Sequence, residues 1–271
     1  MKRKNVSLKL FYNSSFKKGE EKVFTSLLTR GTNSVEMNEV IKSQKWKGKK
    51  VLDVGCGTGL FALMTAKKGS KVTGIDYSEE AIKIAKKTHK HKNLKYQLSN
   101  VNQKINDNYD IITSIGTLEH MDNPLQTLKI FKKHLKPNGK IVVTSPNWTN
   151  ARGYILMTLN FLFNAPVTMA DLHYQTPVDF KNYAKKLEMN LKWHTFDESW
   201  ASGEILIKDF KRRLPNVLSD AKLPKTNKNI NEFLKWLKEN VLPFNNKLPH
   251  SGATGIYIFS LNNIKNYKII K

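Results

Sequence analysis

Hydrophobic residues along this chain switch between two spacings, and the switching lays out its architecture. A continuous apolar run at Val51–Val54 reads as a buried strand, and Leu60, Phe61, Leu63 and Met64 then fall at helical spacing. A second strand reads from Lys71 to Asp76. Strands and helices keep alternating from 50 to 145, the pattern of a parallel sheet with crossover helices. Helices are expected after Thr58, Ser78 and Asp122, and Ser78 suits an N-cap because acids occupy the turn behind it. Lys136-Pro-Asn-Gly139 reads as a turn ahead of the next strand.

The flanks follow other patterns. Residues 1–19 are polar and basic, as in an extended arm. Residues 20–46 carry two helical stripes, Val23, Phe24, Leu27 and Leu28, then Val35, Val40 and Ile41. Past 145, Pro146-Asn-Trp-Thr-Asn-Ala-Arg-Gly153 leads into Tyr154 to Phe163, apolar except for Thr158 and Asn160. That stretch is too short to span a membrane and lacks a lysine-rich face for lying on one, so it reads as a cap helix. Thr176-Pro177 starts another helix, expected to end near Leu187, and Leu191–Phe196 reads as a strand. Residues 203–242 are helical in pattern, broken by Pro215 and Pro224, and Ala253–Leu261 reads as a closing strand. No internal repeat appears. The expected division is 1–47 as arm and helices, 48–146 as a nucleotide-binding core, 147–250 as a cap with a sheet strand near 190–197, and 251–264 as the strand that closes the core.

The chemistry concentrates at Val51-Leu-Asp-Val-Gly-Cys-Gly-Thr-Gly59. A strand entering a helix through glycines at 55, 57 and 59 brings backbone N–H groups and a helix N-terminus against a ligand, where a Cβ would intrude. The order is G-x-G-x-G with Asp53 two residues ahead, not the G-x-G-x-x-G of dinucleotide sites. Asp76, at the end of the second strand, can accept hydrogen bonds from both hydroxyls of a ribose.

With these residues the chain resembles the class I S-adenosylmethionine-dependent methyltransferases, whose hallmark is D-x-G-x-G-x-G followed by an acid ending strand two. Asp76-Tyr-Ser-Glu-Glu-Ala-Ile82, Asn93 to Asn100, Tyr109 to His120 and Leu135 to Thr144 resemble the family's next elements in order, the last with its L-K-P-G-G turn. Leu118-Glu-His120 resembles the ubiquinone-biosynthesis-like branch. The resemblance implies a doubly wound α/β fold with a seven-stranded, mostly parallel sheet whose last strand is antiparallel, together with N-terminal helices and a helical cap insertion. It implies S-adenosylmethionine as cofactor. Gly55, Gly57 and Gly59 would line its methionine and ribose side, with Cys56 as a small filler beside it. Asp53 would contact the methionine end, Asp76 the ribose, Tyr77 the adenine face, and Asn100, Val101 and Ser114 the remaining edge. Asn100 stands where the family carries Asp, yet an amide oxygen still accepts from an adenine amine.

Downstream of strand four, Ser114-Ile-Gly-Thr-Leu-Glu-His120 replaces the [D/N]-P-P-[Y/F] of nucleobase amino-methyltransferases, which points away from base methylation and to a small-molecule or glycan-like acceptor; transfer to oxygen is the expected reaction. Gly116 replaces the first Glu of the branch's E-x-x-E-H, so no metal is assigned. His120 is the first candidate base, and His173 and Tyr174 are candidates to overhang the methyl group. Asn147, Trp148 and Arg152 are candidates for the acceptor pocket, with His250, Trp200 and Glu204 behind them. His89, His91 and His134 read as surface residues.

Cysteine usage, the N-terminal stretch and the charge each alter this picture. Cys56 is the single cysteine, so no internal disulfide forms and a reducing compartment fits. No uninterrupted apolar stretch follows the basic Met1–Val6, so no signal peptide is read and a cytoplasmic location is expected. The net charge of +24, from 46 basic and 22 acidic residues, raises the alternative of an RNA- or protein-modifying methyltransferase that uses a basic surface. Against it, 41 of the 46 are Lys and only 5 Arg, the residue favoured for reading bases, and they spread along the whole chain. Oligomeric state is not legible.

Overall fold

The computed structural model of the protein describes residues 35–101, 105–168, 171–196, 203–244 and 250–261. The arm, the stripe Val23 to Leu28, Trp200 and the stretch 262–264 lie outside the described residues.

Seven strands form one sheet in the order β3-β2-β1-β4-β5-β7-β6. They are β1 (Lys50–Val54), β2 (Lys71–Asp76), β3 (Leu94–Leu98), β4 (Tyr109–Ser114), β5 (Leu135–Pro146), β6 (Met189–Phe196) and β7 (Thr254–Leu261). The first five pair in parallel, and the last strands run antiparallel. Four of the five residues of β1 are buried, which is why its sequence is an unbroken apolar run rather than an alternation. The expected turn at Lys136–Gly139 lies within β5. Register steps from Tyr109↔Leu135 to Ile111↔Lys140, so a bulge with Asn138 at φ +61° absorbs the extra residues.

The helices are α1 (Val35–Ser43), α2 (Leu60–Lys67), α3 (Glu79–Thr88), α4 (Pro124–Lys133), α5 (Ala151–Phe163), α6 (Pro177–Leu187), α7 (Gly203–Asp220) and α8 (Asn227–Asn240). Ser78 caps α3 by accepting from Ala81 N, and Asn123 caps α4 by accepting from Gln126 N. Pro215 does not break its helix. α7 runs through it to Asp220, with Leu214 and Val217 buried, and that packing outweighs one lost backbone bond. The break comes at Lys222, which adopts φ +54°.

Two compact units emerge. The first comprises the described parts of Met1–Ser145, Val178–Trp193 and Ile256–Lys271. Its core joins Leu52, Ile112 and Val143 of the sheet to Leu128 and Phe131 of α4, while Tyr257 of β7 stacks at 3.5 Å on Phe180 of α6. Each such side chain contributes about 1.5–3 kcal/mol. The second unit, Pro146–Pro177 and His194–Gly255, packs α5, α7 and α8 around Leu156, Phe210 and Leu234. Within it Asp209 is buried beneath Arg152 Nε at 3.2 Å and Arg213 Nε at 3.1 Å. Burial alone would push that carboxyl up, but Arg213 and then Arg152 outweigh it and hold it below its ordinary value. The solvent side of α5 is apolar as well: Tyr154, Phe161, Leu162 and Phe163 are exposed. Among the described residues no helix is long and apolar enough to cross a membrane.

Candidate active site

At the carboxyl end of β1 the chain turns away from the sheet through three left-handed glycines. Gly55, Gly57 and Gly59 have φ of +72°, +52° and +87°. A Cβ on Gly55 would lie 2.3 Å from Thr117 Cγ2, and one on Gly59 would lie 2.3 Å from Tyr96 Oη. Tyr96 is in turn fixed, since its hydroxyl donates to the carbonyls of Gly59 and His89. His89, expected at the surface, is half-buried and bonds through Nδ1 to Thr58 O at 2.7 Å. The turn is therefore held from β3 and from the end of α3. Cys56 is buried behind it, and burial, with Asp53 and Asp76 adding, pushes its thiol up, so it stays protonated and inert.

Two buried acids face this turn. Asp76 accepts from Gly57 N at 2.9 Å through Oδ2 and from Ser78 N at 2.8 Å through Oδ1. Each oxygen keeps a lone pair for a further donor. Burial raises its carboxyl, opposed by those backbone bonds. Asp53 Oδ1 accepts from Thr113 Oγ1 at 2.9 Å, while its Oδ2 is buried with no hydrogen-bond partner among the described residues. Burial pushes the Asp53 carboxyl up to about 7, against the Thr113 bond and with Asp76 adding to the rise.

These features fit a cationic nucleoside. The orphaned Oδ2 of Asp53 is an acceptor in need of a donor or a cation. The N-terminus of α2, at Gly59, has no side-chain cap, so its first N–H groups are available to a carboxylate. Asp76 retains capacity for a vicinal diol. Tyr77 is half-buried beside it, Val101 is buried in the core of the first unit, and Asn100 is exposed. Ser114 is fully buried, and its Oγ also lacks a partner among the described residues.

Beyond β4 lies a second group of acids. A tight turn over Leu118–His120 buries Glu119 and leaves His120 half-exposed, its Nε2 4.0 Å from Glu119 Oε1. Gly116 adopts φ +55°, and its N–H donates to Thr144 Oγ1 at 2.9 Å. Thr144 in turn hydrogen-bonds the carboxylate of Glu36 on α1, and burial raises that carboxyl. A Cβ at Gly116 would lie 3.8 Å from both Glu36 oxygens and 4.0 Å from Glu119 Oε1. Glu36 is absent from the residues the sequence singles out. It sits beside the apolar stripe of α1, and nothing in the local pattern connects it with a turn eighty positions away.

The remaining candidates belong to the second unit. Tyr174 packs edge-on against Trp148 at 5.1 Å, and burial raises its phenol. His173 is half-buried in the segment before α6. Three residues expected around an acceptor have protein partners of their own. Asn147 is buried and donates to the carbonyls of His250 and Gly252. Arg152 is committed to Asp209, and Glu204 pairs with Lys238 at 2.6 Å.

Comparison with known proteins agrees with this geometry. The sequence model described as a methyltransferase domain matches residues 45–240. A ubiquinone biosynthesis O-methyltransferase of Coxiella burnetii is 35% identical over 138 residues, 49% of this chain and 58% of that protein. One from Idiomarina loihiensis is 35% identical over 114 residues, 40% of this chain and 46% of that protein. The chain thus spans about half the length of these relatives. Among solved structures, a Haloferax volcanii methyltransferase in complex with the Trm112 activator superposes with a TM-score of 0.61 at 11% identity, covering 93% of this chain and 98% of that one. A Thermotoga maritima protein described as a possible histamine N-methyltransferase gives 0.58 at 16% identity, covering 92% and 98%. At such identities the structures speak for the fold alone.

Proposed function

The chain belongs to the class I S-adenosylmethionine-dependent methyltransferases, and from that premise we propose that it methylates an oxygen of a small-molecule acceptor. The observation that carries this reading is the pair of acids beyond β4, Glu119 buried and Glu36 of α1 half-buried. Glu36 is held by Thr144 over Gly116, with Glu119 beside it. A hydroxyl must lose its proton as it attacks, and a carboxylate raised by burial is suited to take it. The names of the two relatives, both O-methyltransferases, support the same choice.

When bound, S-adenosylmethionine supplies an electrophilic methyl on a positively charged sulfur. The chain's own part is to position and to exclude water. Gly55, Gly57 and Gly59 let the backbone approach the ligand, with Cys56 filling the space behind. Asp53 Oδ2 takes the methionine ammonium, and the N–H groups at the start of α2 take its carboxylate. Asp76 accepts from the ribose hydroxyls, Tyr77 covers the adenine, and Asn100 and Val101 border it. On the acceptor side Glu36 receives the hydroxyl proton and Glu119 orients His120. Ser114, fully buried at the end of β4, is the remaining polar group on this side. The buried thiol of Cys56 fits a reducing cytoplasm.

The test is direct. S-adenosylhomocysteine at a hundredfold excess over its Kd stabilises by about 2.7 kcal/mol, which for a chain of this size is a Tm rise of about 5–10 °C. Incubation with labelled S-adenosylmethionine and a panel of phenols and catechols should then yield O-methyl products by mass spectrometry. No Tm rise at millimolar S-adenosylhomocysteine defeats the cofactor assignment; transfer to amines alone defeats the choice of oxygen.

A further inference from the structure

The opposite end of the sheet carries a feature that the methyltransferase reading leaves unused. An open-sided pocket of about 300 Å3 lies at the amino ends of β1, β2 and β3, lined by Lys50, Lys71, Lys92, Asn93, Lys95 and Asp107 among others. The strands of five or six residues separate it from the glycine turn by about 16 Å. Its four lysines face one carboxylate, and what distinguishes them is their placement on the strands.

The arrangement is specific. Lys50 and Lys71 are direct partners in the parallel register of β1 and β2, and Lys95 is the partner of Thr73, two positions along β2 on the same face. Three ammonium groups therefore stand on one face of three adjacent strands, spanning about 10 Å. Lys50 Nζ binds Asp107 Oδ1 at 2.7 Å and also lies 5.4 Å from the centre of the Tyr109 ring. That bond, with Lys95 and Lys136 adding, holds Asp107 below its ordinary value. Lys71, Lys92 and Lys95 make no ion pair with a carboxylate among the described residues. Like charges in direct register are unfavourable, and a multiply charged anion reverses the sign of that interaction.

We propose that this pocket binds an oligophosphate: two or more linked phosphate groups, carried either by a free nucleoside polyphosphate or by the 5′-triphosphate end of an RNA. Lysine is a point-charge partner for phosphate rather than a planar fork for carboxylate. The volume sits at the lower bound of small-ligand sites, enough for a polyphosphate and part of what bears it. A single phosphate engages at most one or two of the lysines, so affinity should climb with the number of linked phosphates.

The experiment is a calorimetric titration of the whole chain with sodium tripolyphosphate, pyrophosphate and orthophosphate at constant ionic strength. Affinity is expected to rise at least about tenfold from orthophosphate to tripolyphosphate, with one site per chain. Lys71→Gln combined with Lys95→Gln should weaken tripolyphosphate at least about tenfold. Lys228→Gln with Lys235→Gln, on exposed positions of α8, should leave it unchanged. Protection of Lys71, Lys92 and Lys95 from acetylation by tripolyphosphate, read by mass spectrometry on the unaltered protein, keeps the test valid if the double variant folds poorly. ATP and a 5′-triphosphate oligonucleotide then separate the two sources, and pocket-dependent binding of either supports the site. Equal loss in both double variants, multiple weak sites, or equal binding of a 5′-hydroxyl oligonucleotide would mean a diffuse basic surface and overturn the proposal.

Discussion

The two ends of this sheet are made from the same strands and carry opposite chemistry. At the carboxyl ends of β1, β2 and β4 the charged groups are acids, Asp53, Asp76 and Glu119, each less than a tenth exposed. At the amino ends of β1 to β3 they are lysines, largely exposed, with Asp107 as their carboxylate. The contrast shows what burial adds to charge. A buried acid with an unfilled oxygen is poised, as Asp53 is at Oδ2, because it lacks a donor or a positive charge there. Exposed lysines are screened by water and ions, and only their crowding in register makes them more than a solvated surface.

The largest expected effect is on the poised end. In Gly59→Ala the new Cβ meets Tyr96 Oη at 2.3 Å in a residue whose φ of +87° already disfavours a side chain. Tyr96 cannot swing aside without losing its bonds to Gly59 O and His89 O. The variant should lose about 2–4 kcal/mol of stability and all of the Tm rise given by S-adenosylhomocysteine. A full ligand-induced rise in this variant would mean that the glycine turn is not where the nucleoside sits.

Next comes Glu36. Glu36→Gln keeps the shape and the Thr144 contact but removes the proton acceptor, so kcat should fall about a hundredfold with the Kd for S-adenosylhomocysteine unchanged. Unaltered kcat would reduce Glu36 to a structural partner of Thr144 and leave His120 as the base.

The difference between these residues also marks how much of the molecule was legible in its sequence. The left-handed glycines and the buried acids Asp53 and Asp76 were legible as structure because they sit in one continuous turn and at the end of the next strand, where spacing alone fixes geometry. The parallel core followed from the alternation, and the seven strands with an antiparallel last one from the resemblance to the family. Glu36, Thr113 and His89 were not legible, since each acts on a residue thirty to eighty positions away through the fold rather than through the local pattern. Pro215 misled for the converse reason: a local breaker was overruled by Leu214 and Val217 packing into the core of the second unit. Asn147 and Arg152 bond backbone carbonyls and Asp209 through the fold, partners that the local pattern does not announce.

A smaller effect, about tenfold, tests Asp53 through pH. Its folded value near 7 lies above the ordinary carboxylate range, so the neutral form is favoured in the folded protein. The stability that this contributes is complete below about pH 4 and is lost as pH rises through about 7, at up to about 1.4 kcal/mol per unit. A ligand ammonium at Oδ2 favours the ionised form instead. Affinity for S-adenosylhomocysteine should therefore weaken about tenfold between pH 8 and pH 6, and Asp53→Asn should bind more weakly with no such dependence. An equally steep profile in Asp53→Asn would move the titration to Asp76 or to the ligand.

The smallest effect belongs to the lysine end, and its sign is what matters. Lys71 stands in register beside Lys50, whose own charge is partly answered by Asp107, while Lys71 makes no carboxylate pair among the described residues. Removing its charge in Lys71→Gln takes away a repulsion and almost no buried contact, because the side chain is exposed. For a chain of this size the gain should be a Tm rise of about 1 °C at 10 mM salt. At 1 M salt the screening length shrinks to about 3 Å, shorter than the spacing of the strands, and the rise should vanish. Saturating tripolyphosphate should reverse the order of the two proteins, since the unaltered chain then gains a ligand that the variant holds less well. A fall in Tm for Lys71→Gln at low salt would show that the lysines at this end are mutually accommodated, and the crowding argument for an anion there would fail.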